Sequence, residues 1–453
     1  MVEMGLKKGD SRKDWAMLRI VGLVALAVCV PLLVASAARQ REETYTPIVA
    51  PVLAQAGATG TPTVFIPGMP VLCVPSTTPP TLEVQPTSTP LPTTPAFGLA
   101  WFHKPPDGSS AKTVAAEHRY IHLTGPSDIP FMEELRAAGF KGPIYTYVTA
   151  YAVEGPGPYR DASAACDANY TPYDNNVAWE KGDFCKYIHP NEAWFLHNGK
   201  GERLVEDYFG TQRYTYVMNP SHPGWRDFSY SRLVYARDHW GYDGLWLDNL
   251  DLDLGRTTRE AKNSDGRVRE FASDNAWRDA MAGWLAGLRE RLGDWPVWAN
   301  MVGGQLGPGA WDAYAPYLDG AMDESFAVRW LDGWRTDGEW LAQMDRAEQW
   351  IQSGKGLVMV GQGARDDKER LLYTLASYML VANGSSSFRY TRFDSYYDAL
   401  WLYPEYETAL ALGAPTGQRT EVSRGVWRRE FVGGYVEVDS NTHSGRLALE
   451  PGN

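Results

Sequence analysis

Residues 241–251 read GYDGLWLDNLD. A turn-forming Tyr-Asp-Gly leads into the apolar run 244–247, and polar residues follow it directly. A short apolar run bounded by turn residues predicts a buried strand. Amphipathic segments of helical length lie on either side, at 223–240 and 268–292. The stretch therefore indicates one unit of a strand–helix alternation.

The alternation extends in both directions from this unit. Predicted strands lie at 97–102, 120–123, 144–149, 244–247, 296–300, 320–324, 356–361 and 386–390. Predicted helices lie at 111–118, 128–139, 223–240, 268–292, 338–352, 367–382 and 397–412. Eight strands that mostly alternate with helices predict an α/β fold, a (β/α)8 TIM barrel over residues 98–413. A doubly wound open sheet is the alternative, but no Gly-rich phosphate loop follows the first strand.

Two segments do not fit the alternation. Residues 150–214 form a long loop after the third strand, and a short extra strand is predicted at 215–218. Residues 414–453 lose the helical pattern and predict a small antiparallel β appendage. Its strands are expected at 422–428, 430–431, 435–438 and 446–449.

The first 97 residues differ in composition from the rest. Basic residues precede the uncharged apolar run 20–38, which is just long enough to span a bilayer. Within 1–43 we therefore predict a cytoplasmic stub and a signal or anchor segment, and Ala35-Ser36-Ala37 allows cleavage as well as anchoring. Residues 44–97 contain 12 prolines and 12 threonines, which predicts a disordered stalk. The barrel is thus expected to be extracytoplasmic, either secreted or tethered by residues 20–38.

The net charge and the cysteine positions limit the functions that are compatible with the sequence. The net charge of −12 argues against a nucleic-acid partner, because phosphate binding needs a positive face. Cys166 and Cys185 lie in a Gly-, Pro- and Asn-rich stretch and predict a disulfide outside the cytoplasm, with two free thiols as the alternative. No zinc-hydrolase or esterase motif occurs. We predict no cofactor, no metal, membrane contact only through the N-terminal segment, and a monomer.

Candidate catalytic groups follow the strands, because TIM-barrel active sites lie at the carboxyl ends of the strands. On the fourth strand, Gly244, Trp246 and Asp248 share one face, and on the sixth strand Glu324 and Asp323 point to opposite faces. Two carboxylates among amides and aromatic rings are what a glycosidase needs. We therefore predict Asp248 and Glu324 as the catalytic pair. The predicted substrate contacts are Trp101, His103, Tyr147, Trp246, Asn249, Asn300, Gln362 and Arg389.

Four motifs in the module resemble a known group of proteins. GYDGLWLDNLD (241–251), MNPSHPGWRDF (218–228), AMDESF (321–326) and VWRREFVGGYVEVDSNT (426–442) resemble segments of bacterial glycoside-hydrolase-like TIM-barrel families. These are similar to endo-α-1,4-polygalactosaminidases and hypothetical glycosyl hydrolases and, more distantly, to α-galactosidase and α-amylase barrels. The resemblance implies a glycoside hydrolase acting on a polysaccharide or oligosaccharide, and the N-terminal segment predicts that it acts outside the cytoplasm. It also implies a retaining mechanism, with Asp248 as nucleophile and Glu324 as acid/base.

Each assignment has an alternative. Asp248 could cap a loop, Asp243 is expected to be structural, and Glu324 or Asp323 could pair with an arginine. The acidic residues after the fourth strand have the spacing of a calcium loop, but Leu254 stands where that loop needs Gly. The whole barrel could also be a non-catalytic carbohydrate-binding surface protein. The sequence leaves open the sugar, the linkage, exo or endo action, and whether the enzyme retains or inverts the anomeric configuration.

Overall fold

The computed structural model describes residues 95–149, 151–156, 166, 170–207, 214–303, 309–330, 333–392 and 399–450. The predicted signal or anchor segment lies outside these ranges, as does the predicted stalk up to residue 94. Within the described ranges, no helix is both long enough and apolar enough to cross a membrane.

The secondary structure alternates as the sequence predicts. The strands of the described residues are β1 (Leu99–His103), β2 (His118–Thr124), β3 (Ile144–Thr149), β4 (Ala152–Gly155), β5 (Val205–Asp207), β6 (Tyr214–Val217), β7 (Gly244–Asp251), β8 (Val297–Val302), β9 (Gly320–Asp323), β10 (Gly356–Gln362), β11 (Ser386–Thr391), β12 (Thr420–Ser423), β13 (Val426–Phe431), β14 (Gly434–Asp439) and β15 (Ser444–Leu449). The α-helices are α1 (Ala111–Glu117), α2 (Ile129–Ala137), α3 (Pro223–His239), α4 (Gly255–Glu260), α5 (Asp274–Leu292), α6 (Asp337–Gln352), α7 (Lys368–Val381) and α8 (Pro404–Leu412).

Eight parallel strands close into a barrel in the order β1-β11-β10-β9-β8-β7-β3-β2. The predicted TIM barrel is therefore confirmed, and the doubly wound sheet is excluded. Closure brings the carboxyl ends of all eight strands to one rim. This rim collects the side chains that follow β3, β7, β8 and β9.

Large aromatic rings fill the inside of the barrel. The ring of Trp298 packs against Tyr120, with 4.6 Å between ring centroids, and against Tyr145 at 5.6 Å. Strands β9 and β10 begin with Gly320 and Gly356, where an added Cβ would lie 2.2 and 2.0 Å from atoms of the Trp298 ring. Glycine at these two positions leaves the volume that the tryptophan occupies.

Two helix boundaries differ from the prediction. Ser273 caps α5, because its hydroxyl accepts a hydrogen bond from the backbone N–H of Ala276 at 3.2 Å. The helix therefore begins at Asp274 rather than at residue 268. The last barrel helix, α8, begins at Pro404 rather than at residue 397, since proline suits the first helical position.

The segment after β3 contains the predicted extra strand, as β6, and two further strands that the sequence pattern did not predict. β4, β6 and β5 form a three-stranded antiparallel sheet, in that order. β4 and β5 are four and three residues long, too short for an alternation of apolar and polar residues to show. Cys166 and Cys185 form the predicted disulfide, with their Cα atoms 5.5 Å apart.

The C-terminal appendage is confirmed as a four-stranded antiparallel sheet in the order β12-β13-β14-β15. It packs on α7 through β14 and β15. The buried guanidinium of Arg429 on β13 donates hydrogen bonds to the carbonyl oxygens of Met379 and Ala382 at the end of α7, at 3.2 and 2.7 Å. These bonds satisfy helix-terminal carbonyls and tie the appendage to the barrel.

A histidine clamp joins the inserted segment to the residues before α5. The Nδ1 atom of His197 lies 2.7 Å from Glu270 Oε1, and its Nε2 atom lies 2.9 Å from Glu192 Oε1. Each carboxylate accepts a hydrogen bond, so satisfying both requires both ring protons. The hydrogen bond to Glu270 raises the pKa of His197 above its ordinary value, although burial opposes this shift. Arg203 also pairs with Glu192 and lowers the pKa of this carboxyl to about 2.

This clamp predicts a loss of stability at alkaline pH. Because the pKa of His197 is raised in the folded chain, its contribution is complete below the unfolded value of 6.5 and disappears as the pH rises through the folded pKa. We expect the free energy of unfolding, measured by chemical denaturation, to fall as the pH rises above about 6.5. His197→Gln should reduce this fall, and His239→Gln, at an exposed histidine on α3, should leave it unchanged. An identical pH dependence in the His197→Gln variant would refute the clamp.

Candidate active site

Asp248 lies near the end of β7, above the ring of Trp246. Its Oδ2 atom accepts hydrogen bonds from the hydroxyl of Tyr147 and from Asn249 Nδ2, the latter at 2.9 Å. Its Oδ1 atom accepts a bond from Asn300 Nδ2 at 3.1 Å. Asp248 is 8% exposed, so these three donors replace most of the water that a free carboxylate would bind.

Asn300 connects Asp248 to the second predicted carboxylate. The same Nδ2 atom that donates to Asp248 also donates to Glu324 Oε2 at 2.7 Å. Since the two bonds are 3.1 and 2.7 Å long, the two carboxylate oxygens can be no more than about 5.8 Å apart. Asn300 is 1% exposed, which fixes the amide under both carboxylates. The structure thus brings Asp248, Asn300 and Glu324 together.

Glu324 follows β9 directly and is only partly buried. Gln362, at the end of β10, donates from Nε2 to the backbone carbonyl of Glu324 at 2.9 Å. Gln362 is itself 1% exposed. It therefore holds the main chain that carries Glu324, whereas the sequence predicted a direct substrate contact.

The neighbouring carboxylates Asp323 and Asp243 are structural. Asp323 points away from Glu324, as the alternation predicts, and accepts hydrogen bonds from Gln343 Nε2 at 2.7 Å and from Arg346 at 3.1 Å. Asp243 pairs with Arg136 and accepts a bond from the backbone N–H of Ile144 at 2.8 Å. Both carboxylates are thus held by partners that fix the local structure.

A cleft of about 520 Å³, including the part open to solvent, lies beside Asp248. Tyr147 and Asn249, which both donate to Asp248, also line it. The inserted sheet supplies a second wall. The described lining residues are His103, Tyr147, Thr149, Tyr151, Ala152, Glu154, Asn175, Asn176, Glu206, Thr215, Asn249 and Arg256.

A charged network lies in the wall of this cleft. Tyr151 donates its hydroxyl to Glu206, and Arg256 lies 3.6 Å from Glu206 and 4.0 Å from Asp251. Burial raises the pKa of Tyr151 well above its ordinary value, so it remains a proton donor at neutral pH. The guanidinium of Arg256 is therefore shared between two buried carboxylates.

Backbone strain marks the rim as well. His103 and Asn249 adopt positive φ values of 94° and 55°, and both line the cleft. Ala327, three residues after Glu324, has a φ of 62°. Such conformations cost about 1–3 kcal/mol each and cluster at functional sites.

The comparison with known families bears on this site directly. The model of hypothetical glycosyl hydrolase family 15 matches residues 159–435, which include β7 to β11.

The chain belongs to hypothetical glycosyl hydrolase family 15.

Its membership makes this chain a glycoside hydrolase that cleaves glycosidic bonds, as the resemblance of its motifs predicted. The alternative of a non-catalytic carbohydrate-binding protein is correspondingly weakened. No curated protein matches the chain.

Several solved structures are similar to this family 15 member. The glycoside hydrolase domain of PelA from Pseudomonas aeruginosa is 16% identical, over 68% of this chain and 98% of that domain, with a TM-score of 0.39. The α-galactosidase of Thermus thermophilus is 13% identical, over 78% of this chain and 68% of that one, with a TM-score of 0.42. An Anoxybacillus α-amylase is 8% identical, over 76% and 86%, with a TM-score of 0.45.

Besides Gln362, three predicted substrate contacts are buried away from the cleft. Trp101 is 1% exposed and packs outward against the helices, where its indole N–H donates to the carbonyl oxygen of Lys104 at 2.6 Å. Trp246 is also 1% exposed and lies inside the barrel, with its ring stacked on His122 at 3.9 Å. Arg389 is buried over the ring of Phe102, 4.0 Å from its centroid, and does not line the cleft.

The sequence prediction also missed residues that line the cleft. Glu154, Glu206 and Arg256 reach it from β4, β5 and α4, and no strand-end signal marks these short elements. Tyr151, two residues after β3, is among the polar residues that the sequence places at the strand ends. The described residues hold no group of three or more His, Cys, Asp or Glu side chains that could bind a metal ion.

The shared donor predicts a measurable contribution to stability. Asn300→Ala removes the amide that bridges Asp248 and Glu324, so each carboxylate loses one hydrogen-bond donor. We expect the free energy of unfolding, measured by chemical denaturation at neutral pH, to fall by about 1–3 kcal/mol. Asn275→Ala, at an exposed asparagine on α5, should change it by less than about 0.5 kcal/mol. Equal effects of the two variants would show that the bridge contributes nothing.

Proposed function

We propose that this glycoside hydrolase cleaves a polysaccharide or oligosaccharide with retention of anomeric configuration. Asp248 is the nucleophile and Glu324 the acid/base. The observation that carries the proposal is the bridging amide of Asn300. It limits the separation of the two carboxylate oxygens to about 5.8 Å. Retaining enzymes hold their carboxyl groups about 5–5.5 Å apart, and inverting enzymes about 6.5–9.5 Å. A single amide nitrogen that donates to one oxygen of each group supports the shorter arrangement.

The two carboxylates have different surroundings, which suits different roles. Asp248 accepts three hydrogen bonds, as a carboxylate anion does. Glu324 is more open to the rim, where a leaving group can approach it. Separate environments for two carboxyl groups are how glycosidases assign one as nucleophile and the other as acid.

The reaction then proceeds in two steps. Asp248 attacks the anomeric carbon while protonated Glu324 gives its proton to the glycosidic oxygen, and the bond to the leaving group breaks. The glycosyl ester on Asp248 is next attacked by water, whose proton passes to the Glu324 carboxylate. Asp248 leaves as the carboxylate, and Glu324 is protonated again. Asn300 contacts both groups throughout and keeps them at a fixed separation.

Carboxamide variants test these roles. We expect Asp248→Asn and Glu324→Gln each to lower the release of reducing ends from a cleaved polysaccharide by at least about 100-fold, because each loses a reacting carboxylate. Purified full-length chain would be assayed on a panel of bacterial and plant polysaccharides. Asp243→Asn, at the opposite end of β7, should keep its activity as long as circular dichroism shows it folded. Full activity in Asp248→Asn would refute the assignment.

We also propose that the barrel works outside the cytoplasm. Basic residues precede the apolar run 20–38, the order expected of a segment whose basic end stays in the cytoplasm. The Cys166–Cys185 disulfide supports the same placement, since such bonds form in oxidising compartments.

Alkylation of free thiols at the moment of cell lysis tests whether the barrel lies outside the cytoplasm. Cells would be lysed in denaturant with an alkylating agent and no reductant, and the peptides identified by mass spectrometry. We expect Cys166 and Cys185 to be recovered as one disulfide-linked pair. Recovery of both as alkylated thiols would contradict an extracytoplasmic barrel. The mass of the mature chain shows whether residues 20–38 are removed or retained as an anchor.

A further inference from the structure

The cleft and Glu324 lie on opposite sides of Asp248. The two residues that donate to Asp248 Oδ2, Tyr147 and Asn249, line the cleft. The Oδ1 atom instead accepts from Asn300, which continues to Glu324. The strand order agrees with this placement. The cleft is built on β1, β3 and β7, whereas Glu324 follows β9, on the far side of β8.

This arrangement indicates which part of the substrate the cleft would bind. In the proposed mechanism the leaving group departs on the side of the acid, Glu324. The sugar attacked by Asp248 must then extend away from Glu324. The cleft is the space on that side.

The charges of the cleft restrict what it can bind. Glu154 and Glu206 line it, and Arg256, the one cationic residue among its described lining residues, is shared between Glu206 and Asp251. A carboxylate accepts about four hydrogen bonds and donates none. Sugar hydroxyls or ammonium groups satisfy such acceptors, while a sugar carboxylate would meet like charges at short range.

We propose that this cleft is the glycone subsite, and that it binds sugars through their hydrogen-bond donors and discriminates against uronic acids. The inference rests on the proposed function for its direction along the glycan. Glu154 on β4 is the residue that sets this specificity, because its carboxylate lines the cleft and is partly exposed there, with Oε1 accepting a hydrogen bond from the Tyr170 hydroxyl at 3.4 Å. The inserted segment after β3 is thus a substrate-binding element.

Binding of free sugars tests the subsite without requiring turnover. Full-length chain would be titrated, by NMR, with glucose, galactose and mannose and with the uronic acid of each. We expect at least one neutral sugar to bind, and its uronic acid to bind at least about tenfold more weakly. Glu154→Gln should weaken the binding of the neutral sugar by about tenfold. Glu154→Lys should reverse the preference in favour of the uronic acid.

The matched control is Glu180→Gln, an exposed carboxylate of the same inserted segment whose side chain is 56% exposed. It should bind the sugars as the unaltered chain does. The subsite is overturned if no sugar binds, if binding ignores the Glu154 substitutions, or if a uronic acid binds as tightly as its neutral counterpart. Sugar binding that depends on Glu154 without any hydrolysis refutes the proposed mechanism and leaves the subsite standing. Hydrolysis that depends on Asp248 with sugar binding indifferent to Glu154 refutes only the subsite.

Discussion

One amide nitrogen holds the two acidic groups of this barrel together. Two carboxyl groups with oxygens within about 5.8 Å repel each other whenever both are ionised, and the N–H bonds of Asn300 offset that repulsion by donating to both. Burial of the amide keeps it from turning toward solvent. The site is therefore fixed by a neutral side chain on β8, placed between the strands that carry Asp248 and Glu324.

Aromatic packing inside the barrel holds the residues that contact Asp248 in position. Trp246 stacks on His122 and, at 5.2 Å between ring centroids, on Tyr147. Tyr147 is thereby held with its hydroxyl on Asp248. Burial lowers the pKa of His122 well below its ordinary value, so this ring stays neutral in the stack. Rigid aromatic layers thus position the nucleophile candidate, and the inserted segment shapes the space beside it.

The sequence predicts the barrel and the carboxylate pair because both depend on local periodicity. Alternation along β7 and β9 separates Asp248 from Leu247 and Glu324 from Asp323. The same reasoning failed for Trp101, because an aromatic residue suits either face of a barrel strand and only the packing of the helices decides between them. Glu154, Glu206 and Arg256 were missed because the short elements that carry them reach the cleft through tertiary contacts. The disulfide was predictable from its spacing and its loop-rich surroundings.

The most direct test of the account is the anomeric configuration of the first product. A cleaved glycan would be followed by proton NMR immediately after addition of the full-length chain, before mutarotation scrambles the new reducing end. Because Asn300 confines both carboxylates to a short separation, the account predicts that the product keeps the configuration of the bond that was cut. A product of opposite configuration would require room for a water molecule between Asp248 and the sugar, and would contradict it.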